Sequence, residues 1–195
     1  MQDFLDLVDR LSAADAAERQ RLEAEIWGRF GVERALLSLD MSQFSLTVRR
    51  SGILPYLALI RRMQALTAPI IERHRGAVVK YVADNLLASF AEPADAARAA
   101  VEINGAIASG AERFSVAIGI DYGRFILIPG RECYGDAVNV ACKLGEDVAA
   151  AGEVLLTQAA RARLGDGFDF DLREQKVSIS GLELAAFGVV YAGAP

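Results

Sequence analysis

Cysteine and histidine are both scarce in this chain of 195 residues, which has two cysteines and one histidine. Two cysteines are too few for a disulfide framework and indicate a reducing compartment. Imidazole and thiolate groups are likewise too few for the usual zinc sites. We therefore expect any bound metal to be held by oxygen ligands.

An excess of basic charge and a long apolar run are also lacking. The chain has 21 basic and 26 acidic residues and a net charge of −5, which argues against a nucleic-acid binder that uses a basic face. No charge-free apolar segment is long enough to span a bilayer. The first ten residues contain Asp3, Asp6 and Asp9 rather than the basic start of a signal peptide. These features predict a cytoplasmic protein without membrane insertion.

What the chain does have is an apolar content of 53%, which is typical of a folded domain. Apolar residues at helical spacing predict helices over residues 2–29. We expect residues 1–30 to form an N-terminal helical segment, and residues 31–195 to form the main domain. The apolar stripe of the N-terminal segment must dock either on the core or on a dimer partner, and the sequence leaves both open.

The order of elements in the main domain predicts a ferredoxin-like α+β fold, β-α-β-β-α-β with additions. Pro69 is expected to kink or interrupt the first helix, and Asp136 is expected to cap the third helix. The segments that support this order are a strand at 35–39, a helix at 53–74, a hairpin of 77–82 with 86–90, a helix at 94–107, a second hairpin of 114–120 with 125–128 turning near 121–123, a helix at 137–149, a strand at 154–156, a short helix at 158–164 and strands over 168–191.

Two aspartates are expected to meet at one end of this sheet. In this topology the first and third strands are antiparallel neighbours, so Asp40 at the end of one lies near Asp84 at the start of the other. Paired carboxylates repel unless a cation separates them, and a hard ion such as Mg²⁺ suits them. Alternatively, Asp40 is a strand-end residue and Asp84 a turn residue. Backbone N–H groups suited to a polyphosphate follow in the next loop, at Met41, Ser42, Gln43, Phe44 and Ser45.

Four segments, in order, carry a resemblance to a known family: LLSLDMSQFS, RHRGAVVKYVADNLLASF, VAIGIDYG and YGDAVNVACKLGE. Together they resemble the class III nucleotidyl cyclase catalytic domain over residues 35–191. The resemblance implies conversion of ATP to cyclic AMP and pyrophosphate. It also implies two Mg²⁺ or Mn²⁺ ions per site and a homodimer whose sites are shared between chains.

The resemblance assigns Asp40 and Asp84 to the metal ions and Lys80 and Glu132 to the base. A lysine donates to adenine N1 and a carboxylate accepts from the N6 amine, so this combination favours ATP. The plainer alternatives are a strand-edge charge for Lys80 and a solvated loop residue for Glu132. A cyclase for another nucleotide stays open.

In the same resemblance Asn139 orients the ribose, and Lys143 occupies the position of the transition-state arginine. Lysine presents a point charge where arginine presents a fork, but it remains a competent phosphate ligand. A family lysine on the late strand is also replaced, with Ser178 and Ser180 in the region and Lys176 as a substitute. These departures favour an alternative, a non-catalytic cyclase-like module that binds a nucleotide or a partner.

Overall fold

A computed structural model describes residues 1–42, 52–110, 114–179 and 182–194. The helices and strands are bounded as follows: α1 Gln2–Ala13, α2 Ala16–Phe30, β1 Gly31–Met41, α3 Ile53–Arg73, β2 Ala77–Val82, β3 Asn85–Phe90, α4 Pro93–Ser109, β4 Val116–Ile128, β5 Glu132–Tyr134, α5 Asp136–Lys143, a π-helix Leu144–Val148, β6 Val154–Thr157, α6 Gln158–Arg161, β7 Asp171–Ile179 and β8 Leu182–Val190. Within these residues no helix is long and apolar enough to cross a membrane.

The strands within these ranges form one sheet in the order β2-β3-β1-β4-β6-β8-β7, with β5 paired to β4. β1 is central and runs antiparallel to both β3 and β4. The stretch from β1 to β4 therefore has the predicted β-α-β-β-α-β order, and the α+β prediction is confirmed. The register places Asp40 opposite Asn85, as the topology requires for its approach to Asp84.

Helices cover both faces of the sheet around β1. Side chains along each strand alternate between the two faces, so each face packs against its own helices. Leu37 and Leu39 point into the main core under α3 and α4. Leu36 points the other way and packs with Phe125 under α5. A ferredoxin-like arrangement has helices on one face of the sheet only, so the helical cover of the second face differs from the prediction. Coverage of both faces explains why the run at 35–39 is fully buried and is apolar except for Ser38.

The second predicted hairpin is wrong in its position. β4 continues through 121–123, because Asp121 and Gly123 stay in register with Leu36 and Arg34 of β1. The chain reverses only at residues 129–131, where Gly130 has a φ of 66° and the N–H of Arg131 donates to the carbonyl of Ile128 at 3.0 Å. Pairing of β4 with β1 along its length stabilises the extended conformation more than the local Asp-Tyr-Gly sequence favours a turn.

Two helix predictions also need correction. The expected interruption at Pro69 is wrong, because α3 runs as one helix through it and Ile70 and Ile71 beyond the proline are buried in the core. Asp136 is the first residue of α5 rather than its cap, and Gly135 takes the cap position with a φ of 155°. A Cβ at Gly135 would lie 2.8 Å from that of Phe125, so the tight approach of α5 to β4 favours glycine there.

The N-terminal helices dock on the chain itself. α2 begins after Asp15, whose carboxylate accepts from the backbone N–H of Glu18 at 2.9 Å. The buried side chains Phe4 and Leu22 pack with Ile126 and Ile128 of β4. Of the two alternatives for the apolar stripe, contact with the chain's own sheet is therefore the one observed.

Candidate active site

Asp40 and Asp84 lie at the same end of the sheet. Asp40 is the penultimate residue of β1 and is partly buried, and Asp84 lies in the tight β2–β3 turn, where Ala83 has a φ of 51°. Tyr56 of α3 donates its hydroxyl hydrogen to Oδ2 of Asp84 at 3.1 Å. The helix α3 thus positions Asp84, one of the two predicted metal ligands, through this hydrogen bond.

Two further carboxylates lie at this end, and sequence reasoning missed both. The amide Nδ2 of Asn85 donates to Oε1 of Glu146 at 2.8 Å, and Nζ of Lys143 donates to Oδ2 of Asp147 at 3.2 Å. Glu146 and Asp147 belong to the π-helix that follows α5, where the sequence predicted an ordinary helix. No local sequence signal marks such a widened turn, although π-helices are frequent at functional sites.

We call Asp40, Asp84, Glu146 and Asp147 the acidic end. Burial, followed by the charges of the other three carboxylates, raises the pKa of Asp40 to about 6. Within the described ranges no three His, Cys, Asp or Glu side chains form a ready metal cage. The carboxylate oxygens nevertheless suit a hard divalent cation, which would relieve the repulsion that raises the pKa of Asp40.

Lys80 and Glu132, the two predicted base-reading residues, form an ion pair. Lys80 comes from β2 and Glu132 from β5, and Nζ lies 2.5 Å from Oε1. Each side chain is about a quarter exposed, at 26% and 21%. The hydrogen bond to Glu132 raises the pKa of Lys80. Glu132 also accepts from the backbone N–H of Cys133 at 3.0 Å, so its carboxylate is held in place by the strand that carries it.

Asn139 and Lys143 share the exposed face of α5, one helical turn apart. Within the described residues neither forms a hydrogen bond or an ion pair with Asp40, Asp84, Lys80 or Glu132. The structure therefore brings Asp40 close to Asp84, and Lys80 close to Glu132. It leaves the helix face with Asn139 and Lys143 open to an incoming group.

Three solved cyclase structures have a similar arrangement of strands and helices. An adenylate/guanylate cyclase/hydrolase from Silicibacter pomeroyi is 29% identical, with a TM-score of 0.66, over 83% of this chain and 98% of that chain. An adenylate cyclase from Trypanosoma brucei, in its monomeric state, is 17% identical with a TM-score of 0.73, over 80% and 87%. A guanylate cyclase domain from Catenaria anguillulae, in complex with GTP, is 18% identical with a TM-score of 0.72, over 82% and 97%.

The chain has the class III cyclase fold. The four motifs and the structural neighbours agree on this conclusion, at low sequence identity. The sequence matches no protein-family model and no curated protein.

In this cyclase fold the start of the predicted phosphate loop is partly described. Met41 is buried at the end of β1, and the backbone N–H of Ser42 donates to the carbonyl of Ser115 at 2.9 Å. Gln43, Phe44 and Ser45 lie outside the described residues. On β7 of the cyclase fold, Lys176 and Ser178 are both exposed, and Ser180 lies outside the described residues.

Proposed function

We propose that the chain is a nucleotidyl cyclase that converts ATP to cyclic AMP and pyrophosphate. The fold neighbours support a nucleotidyl cyclase, and one observation supports activity in this chain. Asp40 and Asp84 are gathered at one end of a cyclase sheet, at a cost in stability that is reflected in the raised pKa of Asp40. A fold that retained this cost only for stability would gain from neutral residues there.

Asp40 and Asp84 are the residues that would hold Mg²⁺ or Mn²⁺, two ions per site. When bound, such ions neutralise the triphosphate and favour ionisation of the ribose hydroxyl. The chain's own part is to hold two carboxylates at a fixed separation, with Asp84 oriented by the hydroxyl of Tyr56.

The Lys80–Glu132 pair supports adenine as the base. An ammonium group donates to the N1 acceptor of adenine, and a carboxylate accepts from its N6 amine. Guanine reverses both groups, because it carries a donor at N1 and an acceptor at O6. Since Lys80 and Glu132 hold each other at 2.5 Å, both are already ordered before a base arrives, which lowers the entropic cost of binding.

The exposed face of α5 supports a site shared between two copies of the chain. Asn139 would orient the ribose of a nucleotide held by the partner's carboxylates, and Lys143 would contact its phosphates. The 3′-oxygen, after losing its proton, attacks the α-phosphorus in line, and the bond to the pyrophosphate oxygen breaks. Catalysis is then mainly positioning and neutralisation of the developing charge.

The test of activity is incubation of the purified chain with each of the four NTPs and Mn²⁺ or Mg²⁺, with products identified by mass. Cyclic AMP from ATP supports the proposal, and cyclic GMP as the main product would contradict the adenine assignment. Binding of ATP with no turnover would favour the second candidate, a non-catalytic nucleotide-binding module. That candidate is supported by Lys143, which stands in the place of an arginine and is engaged with Asp147.

The shared site is tested by mixing two inactive variants, Asp40→Ala and Asn139→Ala. Each heterodimer then contains one site with both residues intact. Random exchange should restore about a quarter of the wild-type activity, since half of the dimers are mixed and each has one good site of two. A mixture that stays as inactive as its parents would contradict the shared site.

A further inference from the structure

A cavity of about 200 Å³ lies between α5 with its π-helix on one side and the strands β6, β7 and β8 on the other. Its walls are apolar and include Val140, Leu144, Val177 and Ala186. The carboxyl-bearing Asp121 of β4 and the hydroxyl-bearing Thr157 of β6 also line it. We call this space the α5 cavity. It is separate from the acidic end and from the Lys80–Glu132 pair.

Asp121 is the unusual group in the α5 cavity. Only 7% of the residue is exposed, and burial raises the pKa of its carboxyl group. The carboxylate accepts from the hydroxyl of Thr157 and from the backbone N–H of Tyr122. Among the described residues no Lys, Arg or His forms an ion pair with it. A buried carboxyl group thus lines an apolar cavity, and no described side chain supplies a cation to it.

A structural role explains an oxygen at this position but not a charge. The hydroxyl of Thr157 donates to Asp121 and accepts from the backbone N–H of Ala160 at 3.2 Å, which caps α6. A neutral amide oxygen at position 121 would accept the same hydrogen bond without the cost of burying an ion. The fold therefore requires an oxygen acceptor at position 121 but not an ionisable group.

We propose that the α5 cavity binds a small organic ammonium ion, with its charge at Asp121 and its apolar body against Val140, Leu144 and Ala186. An amine supplies the missing cation, and the apolar walls suit a compact hydrocarbon group rather than a bare metal ion. An apolar cavity of about 150 Å³ is large enough for benzene, so this one accommodates a ring with a short aminoalkyl arm.

The α5 cavity lies behind the helix that carries Asn139 and Lys143, so a ligand bound there affects the candidate active site. Val140 and Leu144 belong to the same helical segment as Asn139 and Lys143 and face away from them into the cavity. A bound amine packs against the rear of this segment and fixes its position on the sheet. This consequence rests on the proposed function, whereas the binding itself does not.

Benzylamine and its neutral analogue benzyl alcohol provide the test. Each is titrated into the full ¹⁵N-labelled chain without nucleotide, and backbone amide shifts are followed by NMR. We expect saturable shifts at Val140, Leu144 and Thr157 with benzylamine, and roughly 10- to 100-fold weaker binding of the alcohol, as for loss of a charged hydrogen bond. Equal binding of the two compounds, or shifts confined to other regions, would overturn the proposal.

Asp121→Asn is the matched variant, because the amide oxygen still accepts from Thr157. It should lower the affinity for benzylamine by the same factor. Asp166→Asn, which removes a charge from an exposed loop, should leave that affinity unchanged. Unchanged affinity in Asp121→Asn would refute the assignment. If that variant does not fold, Ala159→Trp fills the cavity from an exposed position on α6. Retention of benzylamine binding in this variant would equally refute it.

Discussion

The acidic end and the Lys80–Glu132 pair are both clusters of charged side chains, but their energetics are opposite. In the acidic end four carboxylates gather, and burial, followed by their mutual repulsion, raises the pKa of Asp40 to about 6. In the pair, opposite charges lie 2.5 Å apart and each ion has its partner within the chain. One cluster costs stability in isolation, and the other does not.

This difference shows which cluster is the stronger indication of function. A satisfied ion pair is compatible with a purely structural role, because it contributes modest stability without any ligand. Four carboxylates at one place, of which only Asp147 has a lysine partner among the described residues, have no such explanation. Perturbed pKa values of this kind concentrate at functional sites. The proposal of a cyclase therefore depends on the acidic end, and the preference for adenine depends on the pair.

The largest effect is expected from breaking the acidic end. Asp84→Ala or Asp40→Asn should abolish Mn²⁺-dependent binding of a non-hydrolysable ATP analogue, measured by calorimetry, because one carboxylate is too weak a ligand set for the cation. Circular dichroism should be unchanged. Asp166→Asn removes an acidic charge elsewhere and should bind normally. Wild-type affinity in both site variants would show that the acidic end does not hold the metal.

The next largest effect is expected at Lys143, which lies beside the acidic end on α5. Lys143→Ala should lower kcat by about 100- to 1000-fold, because a preorganised charged donor to the transition state is lost. KM should change much less, since the contact strengthens as charge develops. Lys143→Arg should preserve or raise kcat.

Arg19→Ala is the control for Lys143, because it removes an exposed positive charge from α2, away from the acidic end. It should change kcat little. A loss in Lys143→Ala that is confined to KM would assign Lys143 to ground-state binding instead. If the wild type and Lys143→Arg both fail to turn over any nucleotide, the non-catalytic module becomes the better description.

A third prediction concerns stability and pH without metal. The folded pKa of Asp40 is raised above its ordinary value of 3.8, so its contribution to stability is present below pH 3.8 and lost as the pH rises through about 6. At pH 7 in EDTA, Asp40→Asn should be more stable than the wild type by about 1–2 kcal/mol, because solvent screening of this partly exposed group reduces the effect of the pKa shift. Urea unfolding of both proteins between about pH 3.5 and 7, in steps of roughly half a pH unit, measures this difference in the free energy of unfolding. A difference that does not grow with pH would contradict the crowding of the acidic end.

The smallest effect is expected for the Lys80–Glu132 pair. A double-mutant cycle with alanine at both positions should give a coupling of about 0.5–1 kcal/mol in urea unfolding. The more exposed Lys143–Asp147 pair, at 47% and 64%, should give less and serves as the control. Equal coupling in the two cycles would show that partial burial adds nothing to the Lys80–Glu132 pair.

Local sequence determined much of the fold and the identity of the paired residues. The apolar run at 35–39 predicted a buried strand, and the turn at 83–85 predicted the β2–β3 hairpin, because both depend on neighbouring residues alone. The approach of Asp40 to Asp84 followed from the strand order. Lys80, Glu132 and Asn139 were found through motif resemblance, and their roles remain predictions.

Tertiary structure decided what depends on distant partners. β4 runs straight through Asp121 because β1 pairs along its full length, and pairing energy outweighs a turn-like local sequence. Glu146 and Asp147 reach the acidic end only because the helix widens after Lys143, which no periodicity predicts. Asp121 becomes a buried carboxyl group only when α5 and the β7–β8 hairpin close over it. Burial and electrostatic repulsion arise between residues far apart in the chain, so they exist only once the fold has formed.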